Sequence, residues 1–244
     1  MISELADRLD QAALTATAIP RLAAAAGLDP AGAYDVQRAL IERRLARGER
    51  LVGLKMGLTS RAKMAQVGVD EVIWGHLTDG MRIDDGGALD LTRLIHARAE
   101  PEVAFLLSHD PEPVIRAVAP ALEVIDSRFE GFDFSLPDVI ADNTSASGFV
   151  VGPWRPAPEG LDNLGVLLEV NGRVVQTGST AAILGDPRRA FDAAVRLAGG
   201  RGVELRDGWI VLAGAATAAV PLSPGDHVRA VVEKLGTASF KAAS

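Results

Sequence analysis

Two glutamates, Glu100 and Glu102, stand one residue apart at the start of an apolar segment that continues to Leu107. In a β-strand, residues i and i+2 share a face, so both carboxylates point the same way where this strand enters a core. Neighbouring like charges repel, so either one carboxyl group has a raised pKa or a cation lies between the two. The alternative is an exposed strand end with two solvated glutamates, the usual surroundings of this residue type.

A cation at this position would be a hard divalent ion, because Mg²⁺ and Mn²⁺ take oxygen ligands. A third carboxylate on a different strand, such as Glu123 within the apolar segment 122–126, would complete a three-oxygen site. Such a site leaves coordination positions for substrate and water. This interpretation requires the strands that carry Glu102 and Glu123 to lie close together.

The first fifty residues predict helices. Ile2, Leu5 and Leu9 recur at helical spacing, and Asp29-Pro30 combines a capping side chain with proline at the first turn. Further helices are predicted after Ser60, over residues 110–120 and over residues 186–199. Apolar runs and turn signals, among them the hairpin turn Asn171-Gly172, predict strands over residues 51–58, 72–77, 87–91, 100–107, 122–126, 149–152, 165–176, 209–214 and 227–234.

The fold class predicted from these elements is α+β, with a helical N-terminal arm at residues 1–50 and a mostly antiparallel, β-rich catalytic domain at residues 51–244. The predicted strands and helices do not alternate regularly, which argues against a dinucleotide-binding fold.

Lys55 stands in the first predicted strand between Leu54 and Met56. Asp126 and Arg128 are spaced for an ordinary salt bridge at a strand end, and residues 142–145 are typical of a polar turn or cap.

The composition excludes several kinds of chemistry. The 244 residues contain no cysteine, which excludes disulfides, thiolate nucleophiles, zinc–thiolate sites and iron–sulfur clusters. A net charge of -7 argues against nucleic acid as a partner, because a phosphate-binding surface needs a basic stripe. The first residues lack the pattern of a signal peptide, and no apolar run approaches the roughly 18 residues that cross a bilayer. We therefore expect a cytoplasmic protein that binds neither nucleic acid nor membrane.

Four segments carry a resemblance to a known family. They are residues 53–60 (Gly-Leu-Lys-Met-Gly-Leu-Thr-Ser), Ala99-Glu100-Pro101-Glu102, residues 122–128 (Leu-Glu-Val-Ile-Asp-Ser-Arg) and Ala141-Asp142-Asn143. In this order, and from about residue 34 onward, the chain resembles the hydratase/decarboxylase branch of the fumarylacetoacetase superfamily. That branch processes 2-oxo and 2-hydroxy dienoic acids in the meta-cleavage degradation of aromatic compounds.

The resemblance implies a lyase with a fumarylacetoacetase C-terminal-like fold. The implied reaction is metal-dependent decarboxylation of 2-oxo-3-hexenedioate (4-oxalocrotonate) to 2-hydroxypenta-2,4-dienoate and CO₂. The alternative reaction is hydration of 2-hydroxypenta-2,4-dienoate, and an alternative of another class is a binding module that keeps the fold without the chemistry. A homo-oligomer and a complex with the pathway hydratase are also implied.

The resemblance further implies roles for individual residues. No organic cofactor is expected, because a divalent ion can itself withdraw electrons from a chelated 2-oxo acid. The implied roles are Glu100, Glu102 and Glu123 as ligands of Mg²⁺ or Mn²⁺, Lys55 and Asp79 as catalytic groups, and Ser145 and Thr217 as substrate contacts.

Overall fold

Helices at the N-terminus precede a body made of two β-sheets. The computed structural model describes residues 1–60, 64, 71–109 and 111–244. The helix predicted after Ser60 lies largely outside these residues. The helices within the described ranges are α1 (Ile2–Leu14), α2 (Ala23–Ala26), α3 (Pro30–Ala46), α4 (Leu136–Ala141) and α5 (Pro187–Gly199). None of them combines the length and the apolar character needed to cross a bilayer.

The strands form one larger and one smaller sheet. The larger sheet has the order β2-β1-β10-β5-β6-β7-β3, with β11 paired to β5, and the smaller has the order β4-β13-β12-β8-β9. Most neighbours are antiparallel, whereas β1–β10, β3–β7 and β4–β13 are parallel. The strands are β1 (Leu51–Gly57), β2 (Ile73–Thr78), β3 (Arg82–Ile83), β4 (Gly87–Asp90), β5 (Arg98–His109), β6 (Pro113–Ile125), β7 (Ala146–Val151), β8 (Gly165–Val170), β9 (Arg173–Ser179), β10 (Ile210–Leu212), β11 (Val220–Pro221), β12 (His227–Val232) and β13 (Gly236–Ala243).

The predicted α+β class and the N-terminal helices are confirmed. The backbone N–H of Gly32 donates to the Asp29 side chain at 2.7 Å, so α3 begins where the capping signal placed it. Within α3, the buried Gln37 side-chain amide donates to the carbonyls of Trp74 and Ile140, which ties this helix to β2 and α4. The division into an arm at residues 1–50 and a catalytic domain at residues 51–244 stays a prediction.

The predicted hairpin and the last predicted helix are confirmed as well. Asn171 and Gly172 both have positive φ, 53° and 75°, as the turn between β8 and β9 requires. The Asp186 side chain accepts from the N–H of Arg188 and caps α5, in which Pro187 is the first residue.

The helix predicted over residues 110–120 is wrong, because residues 113–120 lie in the long strand β6 and residue 110 lies outside the described residues. Residues of β6 pair with β5 over nearly its whole length, and this ladder outweighs the helix-start signal at Pro113. Pro120 lies just past the end of β7, where its carbonyl accepts from the N–H of Gly152 at 2.9 Å. Pro120 lies within β6, but β7 has already ended on this side, so the missing N–H of Pro120 costs little.

A final strand, β13, was not predicted. Its sequence, Gly236–Ala243, includes three alanines, a serine and a lysine, and Thr237 and Phe240 alone are of types that favour a strand. Pairing with both β12 and β4 supplies what the local sequence lacks.

Close packing of β1 against β10 requires a residue without a side chain at Gly53. A Cβ atom at this position would lie 1.9 Å from the carbonyl oxygen of Ile210, whereas a Cβ at Gly199 would meet nothing within 4 Å. We expect Gly53→Ala to lower the free energy of unfolding by about 3 kcal/mol or more, because the backbone must separate. Gly199→Ala, the matched control, should leave it unchanged or raise it by up to about 1 kcal/mol. Urea unfolding measures both, and equal stabilities for the two variants would contradict the packing described.

Candidate metal centre

Strands β5 and β6 bring the three predicted ligand glutamates together. Glu100 lies directly opposite Glu123 in the antiparallel register, and Glu102 follows two residues later on the same face of β5. One carboxylate oxygen from each of the three residues lies within 4.8 Å of the others. The side chains are almost fully buried, with exposures of 6%, 1% and 0% in chain order. The alternative of a solvated strand end is therefore wrong.

Carboxylate oxygens of Glu102 and Glu123 are buried without a donor among the described residues, which favours a cation beside them. Glu102 Oε2 accepts from the backbone N–H of Gly214 at 2.8 Å, but Glu102 Oε1 and Glu123 Oε2 are buried without a hydrogen-bond donor in the described part of the chain. Burial, and then the charge of Glu123, raise the pKa of Glu102 well above its ordinary value. Burial also raises the pKa of Glu123, against the opposing effect of Lys55. The donor set, all oxygen and all anionic, fits Mg²⁺ or Mn²⁺.

Lys55 reaches this site from β1, which is separated from β5 by β10 in the same sheet. In the register of β1, β10 and β5, Lys55 lies beside Leu212, and Leu212 lies beside Ala104, so the lysine shares the face of Glu102. Lys55 Nζ lies 2.9 Å from Glu123 Oε1, which is an ion-pair distance, and it donates to the carbonyl of Thr144 at 3.0 Å. The ammonium group is thus held between a ligand glutamate and a backbone carbonyl.

The carbonyl of Thr144 belongs to a turn with unusual backbone geometry. Asn143, Thr144 and Ser145 have consecutive positive φ values of 49°, 54° and 59°. This conformation is unfavourable for residues with a side chain and persists only where surrounding contacts enforce it. Here the Asn143 side chain accepts from the N–H of His76 and donates to its carbonyl, while the Thr144 hydroxyl donates to the carbonyl of Trp74.

A buried ion pair secures the start of the same turn. Arg128 Nε pairs with the Asp142 carboxylate, and a second guanidinium nitrogen donates to the carbonyl of Asp142 at 2.7 Å. Burial raises the pKa of Asp142 to about 6 despite this pairing. The salt bridge predicted within residues 126–128 is wrong, because the Asp126 carboxylate accepts from the backbone N–H groups of Ile95 and His96 instead.

Sequence reasoning missed two of these contributions. It assigned Arg128 to a salt bridge with Asp126 and residues 142–145 to a polar turn or cap, so it did not pair Arg128 with Asp142. It also did not predict that the N–H of Gly214 donates a hydrogen bond to the Glu102 carboxylate. The contacts that create both depend on residues that are distant in the sequence, so no local pattern marks them.

The two predicted substrate contacts, Ser145 and Thr217, lie in segments next to residues that contact the glutamate site or its strand. The Ser145 hydroxyl is buried without a partner among the described residues, next to the Thr144 carbonyl that holds Lys55. Thr217 is half-buried and follows Ala216, whose N–H donates to the carbonyl of Pro101, the residue between Glu100 and Glu102. Their role in binding substrate stays a prediction.

The structure does not bring Asp79 to the glutamates. Asp79 follows Thr78, which pairs with Leu51 at the first residue of β1, while Gly57 at the other end of β1 lies towards the metal-ligand side. The Asp79 carboxylate accepts from the backbone N–H and the guanidinium of Arg50, each at 2.8 Å, and these bonds lower its pKa. The catalytic role of Asp79 stays a prediction, and its position beside the first residue of β1 gives that role no support.

Comparisons with known proteins agree with this fold and site. The family described as fumarylacetoacetate (FAA) hydrolase C-terminal matches residues 83–241, and the chain belongs to this family. A 4-oxalocrotonate decarboxylase of a Pseudomonas species is 50% identical over 98% of this chain and 97% of its own length. A 2-hydroxyhexa-2,4-dienoate hydratase of Comamonas testosteroni is 33% identical over 86% of this chain and 84% of its own length. A solved structure of 4-oxalocrotonate decarboxylase from Pseudomonas putida G7, complexed with magnesium and adipate, matches with a TM-score of 0.94 and 38% identity, covering 99% of this chain and 97% of that one.

Magnesium should stabilise the protein more strongly as the pH rises. Between the ordinary glutamate pKa and the raised pKa of Glu102, the folded metal-free protein keeps a proton that the unfolded chain has lost. Raising the pH through this interval therefore destabilises the metal-free protein and also removes the proton that competes with Mg²⁺. The increase in Tm at a fixed Mg²⁺ concentration should be larger at about pH 8 than at about pH 5.

Two substitutions control this thermal-shift measurement. Glu102→Gln keeps the shape of the side chain without a titrating proton, so its Tm should respond little to Mg²⁺ at either pH. Glu204→Gln, at an exposed glutamate, should behave like the parent protein. An equal shift of Tm at both pH values in the parent protein would contradict the assignment of Glu102.

Removal of Arg128 should destabilise the fold through Asp142. Arg128→Met leaves a buried carboxylate without its cation, and we expect the free energy of unfolding to fall by about 3 kcal/mol. The double variant Arg128→Met/Asp142→Asn should recover part of this loss, because the amide carries no charge. Chemical unfolding of both variants checks the pair. A double variant that is less stable than Arg128→Met would show that Asp142 does not depend on Arg128.

Proposed function

We propose that this chain is a metal-dependent carboxy-lyase that converts 2-oxo-3-hexenedioate (4-oxalocrotonate) to 2-hydroxypenta-2,4-dienoate and CO₂. The observation that carries the proposal is the convergence of three buried glutamates from β5 and β6. It occurs in a chain that is 50% identical, over nearly its full length, to a 4-oxalocrotonate decarboxylase. The substrate class is a small dicarboxylic acid, in keeping with the adipate bound by the similar solved structure.

Glu100, Glu102 and Glu123 would hold Mg²⁺ or Mn²⁺. When bound, the ion supplies Lewis-acid activation of the 2-oxo acid, which favours loss of CO₂ from the far end of the conjugated chain. The protein contributes by keeping the three carboxylates dry and on one face, so that binding needs little rearrangement of the ligands. The N–H of Gly214 fixes the orientation of Glu102 through its Oε2 atom.

Lys55 offsets negative charge at this acidic site. Its ammonium group contacts Glu123 and is oriented by the carbonyl of Thr144, so a positive charge stays beside the carboxylate cluster. The buried hydroxyl of Ser145 has no partner in the described part of the chain and is available to a substrate oxygen. Thr217 would contact the substrate from the segment that runs beside Pro101.

Hydration of 2-hydroxypenta-2,4-dienoate is the second candidate. A 2-hydroxypent-2,4-dienoate hydratase of Pseudomonas putida is 37% identical over 77% of this chain, and the same arrangement of carboxylates could serve either reaction. The higher identity to decarboxylases favours the first candidate. A binding module without chemistry is disfavoured, because all three ligand positions keep their carboxylates.

An assay of CO₂ release from 2-oxo-3-hexenedioate with Mg²⁺ tests the proposal. The parent protein and the control variant Glu204→Gln should release CO₂, and a chelator should stop the reaction. Glu102→Gln should lower kcat/KM by at least about 100-fold. Loss of a residue that only hydrogen-bonds to a metal ligand typically costs about 10- to 100-fold, and loss of the ligand itself should cost more. Turnover of 2-hydroxypenta-2,4-dienoate without CO₂ release from the dicarboxylate would identify the hydratase instead.

The expected partners and location remain part of this proposal. A homo-oligomer, a complex with the pathway hydratase and a cytoplasmic location are predictions from family resemblance and sequence. Mass measurement of the purified protein tests the first, and co-purification with the hydratase tests the second.

A further inference from the structure

Arg98 continues the row of functional side chains on β5. Residues 98, 100 and 102 alternate with buried apolar residues and therefore share one face of the strand. Arg98 lies opposite Ile125, in the position next to the pair formed by Glu100 and Glu123. A rise of about 3.4 Å per residue places successive side chains on this face about 7 Å apart. Arg98 is thus the next residue after Glu100 on the face of β5 that carries the candidate metal ligands.

No carboxylate among the described residues neutralises the charge of Arg98. Its guanidinium carbon lies 4.2 Å from the centre of the Phe132 ring, and no acidic side chain of the described residues lies at ion-pair distance from it. Arg128, in contrast, is paired with Asp142. Stacking on an aromatic ring orients a guanidinium group but leaves its hydrogen-bond donors available to an anion.

A second polar group without a partner lies on the same aromatic ring. The imidazole of His96 is centred 4.5 Å from the Phe132 ring, and its Nε2 atom is buried without a hydrogen-bond partner in the described ranges. The backbone N–H of His96 is fixed by the Asp126 carboxylate at 2.8 Å, which restrains where this ring can lie. Phe132 therefore contacts a cation and a ring nitrogen that both lack a polar partner in the described part of the chain.

The charges at the site indicate what kind of ligand Arg98 and His96 would bind. The site already holds three carboxylates, and Lys55 is already engaged by Glu123 and the Thr144 carbonyl. A dicarboxylic substrate then brings two further negative charges. In a 2-oxo-hexenedioate, four carbon–carbon bonds separate the C2 carbonyl carbon from the distal carboxyl carbon, a separation suited to a neighbouring side-chain row. Arg98 is the cation in the described chain that is placed there without a counter-ion.

We propose that Arg98, with His96 beside it, binds the distal carboxylate of a 2-oxo dicarboxylic acid whose 2-oxo acid end lies at the three glutamates. The inference rests on the proposed function and identifies the residue that selects a dicarboxylate over a monocarboxylate. It also predicts how Arg98 acts. The distal carboxylate loses its charge as CO₂ departs, so an ion pair to it stabilises the bound substrate more than the transition state. Arg98 therefore acts in binding and specificity rather than in rate.

The test compares two ligands that differ only at the distal end. Mg²⁺-loaded protein is titrated calorimetrically with 2-oxoadipate and with 2-oxohexanoate, which lacks the second carboxylate. The parent protein should prefer 2-oxoadipate by about 10- to 100-fold, the value of one charge-assisted bidentate contact. Arg98→Gln should reduce this preference to near unity while 2-oxohexanoate binds as before, which also shows that the site remains folded. Arg98→Lys should restore part of the preference, because lysine keeps the positive charge but cannot donate two parallel hydrogen bonds to one carboxylate.

Two further readouts separate this role from a structural one. Arg116→Gln, at an exposed arginine of β6, should keep the full preference and serves as the matched control. In turnover of 2-oxo-3-hexenedioate, Arg98→Gln should raise KM about 10-fold or more without lowering kcat. A preference for 2-oxoadipate that survives in Arg98→Gln would overturn the assignment of Arg98 alone. Failure of the parent protein to bind either ligand with Mg²⁺ would overturn the proposed function together with it.

Discussion

The cost of burying three carboxylates on one face of a sheet shapes the rest of this structure. Glu100, Glu102 and Glu123 are taken out of water and placed within a few ångströms of one another, an arrangement that raises the pKa of Glu102 and Glu123. A fold keeps such a cluster only where other groups compensate for it. At Glu102 and Glu123 the described residues supply one backbone N–H and one ammonium group, and carboxylate oxygens of both remain without a donor there, which suits a divalent cation.

The surrounding architecture is organised to position those compensating groups. Lys55 depends on the carbonyl of Thr144, and that carbonyl depends on three consecutive left-handed residues. The turn is in turn held by Asn143 against β2 and by the buried pair of Arg128 and Asp142. Backbone strain and a buried ion pair, both unfavourable in isolation, are thus concentrated next to the glutamates, where a fixed geometry has chemical value.

Sequence reasoning succeeded where local signals are strong. The cap at Asp29, the turn at Asn171-Gly172 and the shared face of Glu100 and Glu102 follow from short-range geometry, and the structure has each of them. It failed where pairing between distant segments decides the outcome. Pro113 was interpreted as the start of a helix, but it lies in β6. The alanine-rich β13 is a strand because it pairs with two neighbouring strands. Arg98 escaped notice for the same reason, since its significance depends on the Phe132 ring and on the strand opposite.

The position of the ion tests the central claim most directly. Anomalous scattering from crystals grown with Mn²⁺ should show one strong peak at coordination distance, about 2.1 Å, from an oxygen of each of Glu100, Glu102 and Glu123. The same peak should be absent from crystals of Glu102→Gln prepared in the same way. A manganese ion held elsewhere, or three glutamates that remain in place with no ion between them, would contradict this account of the site.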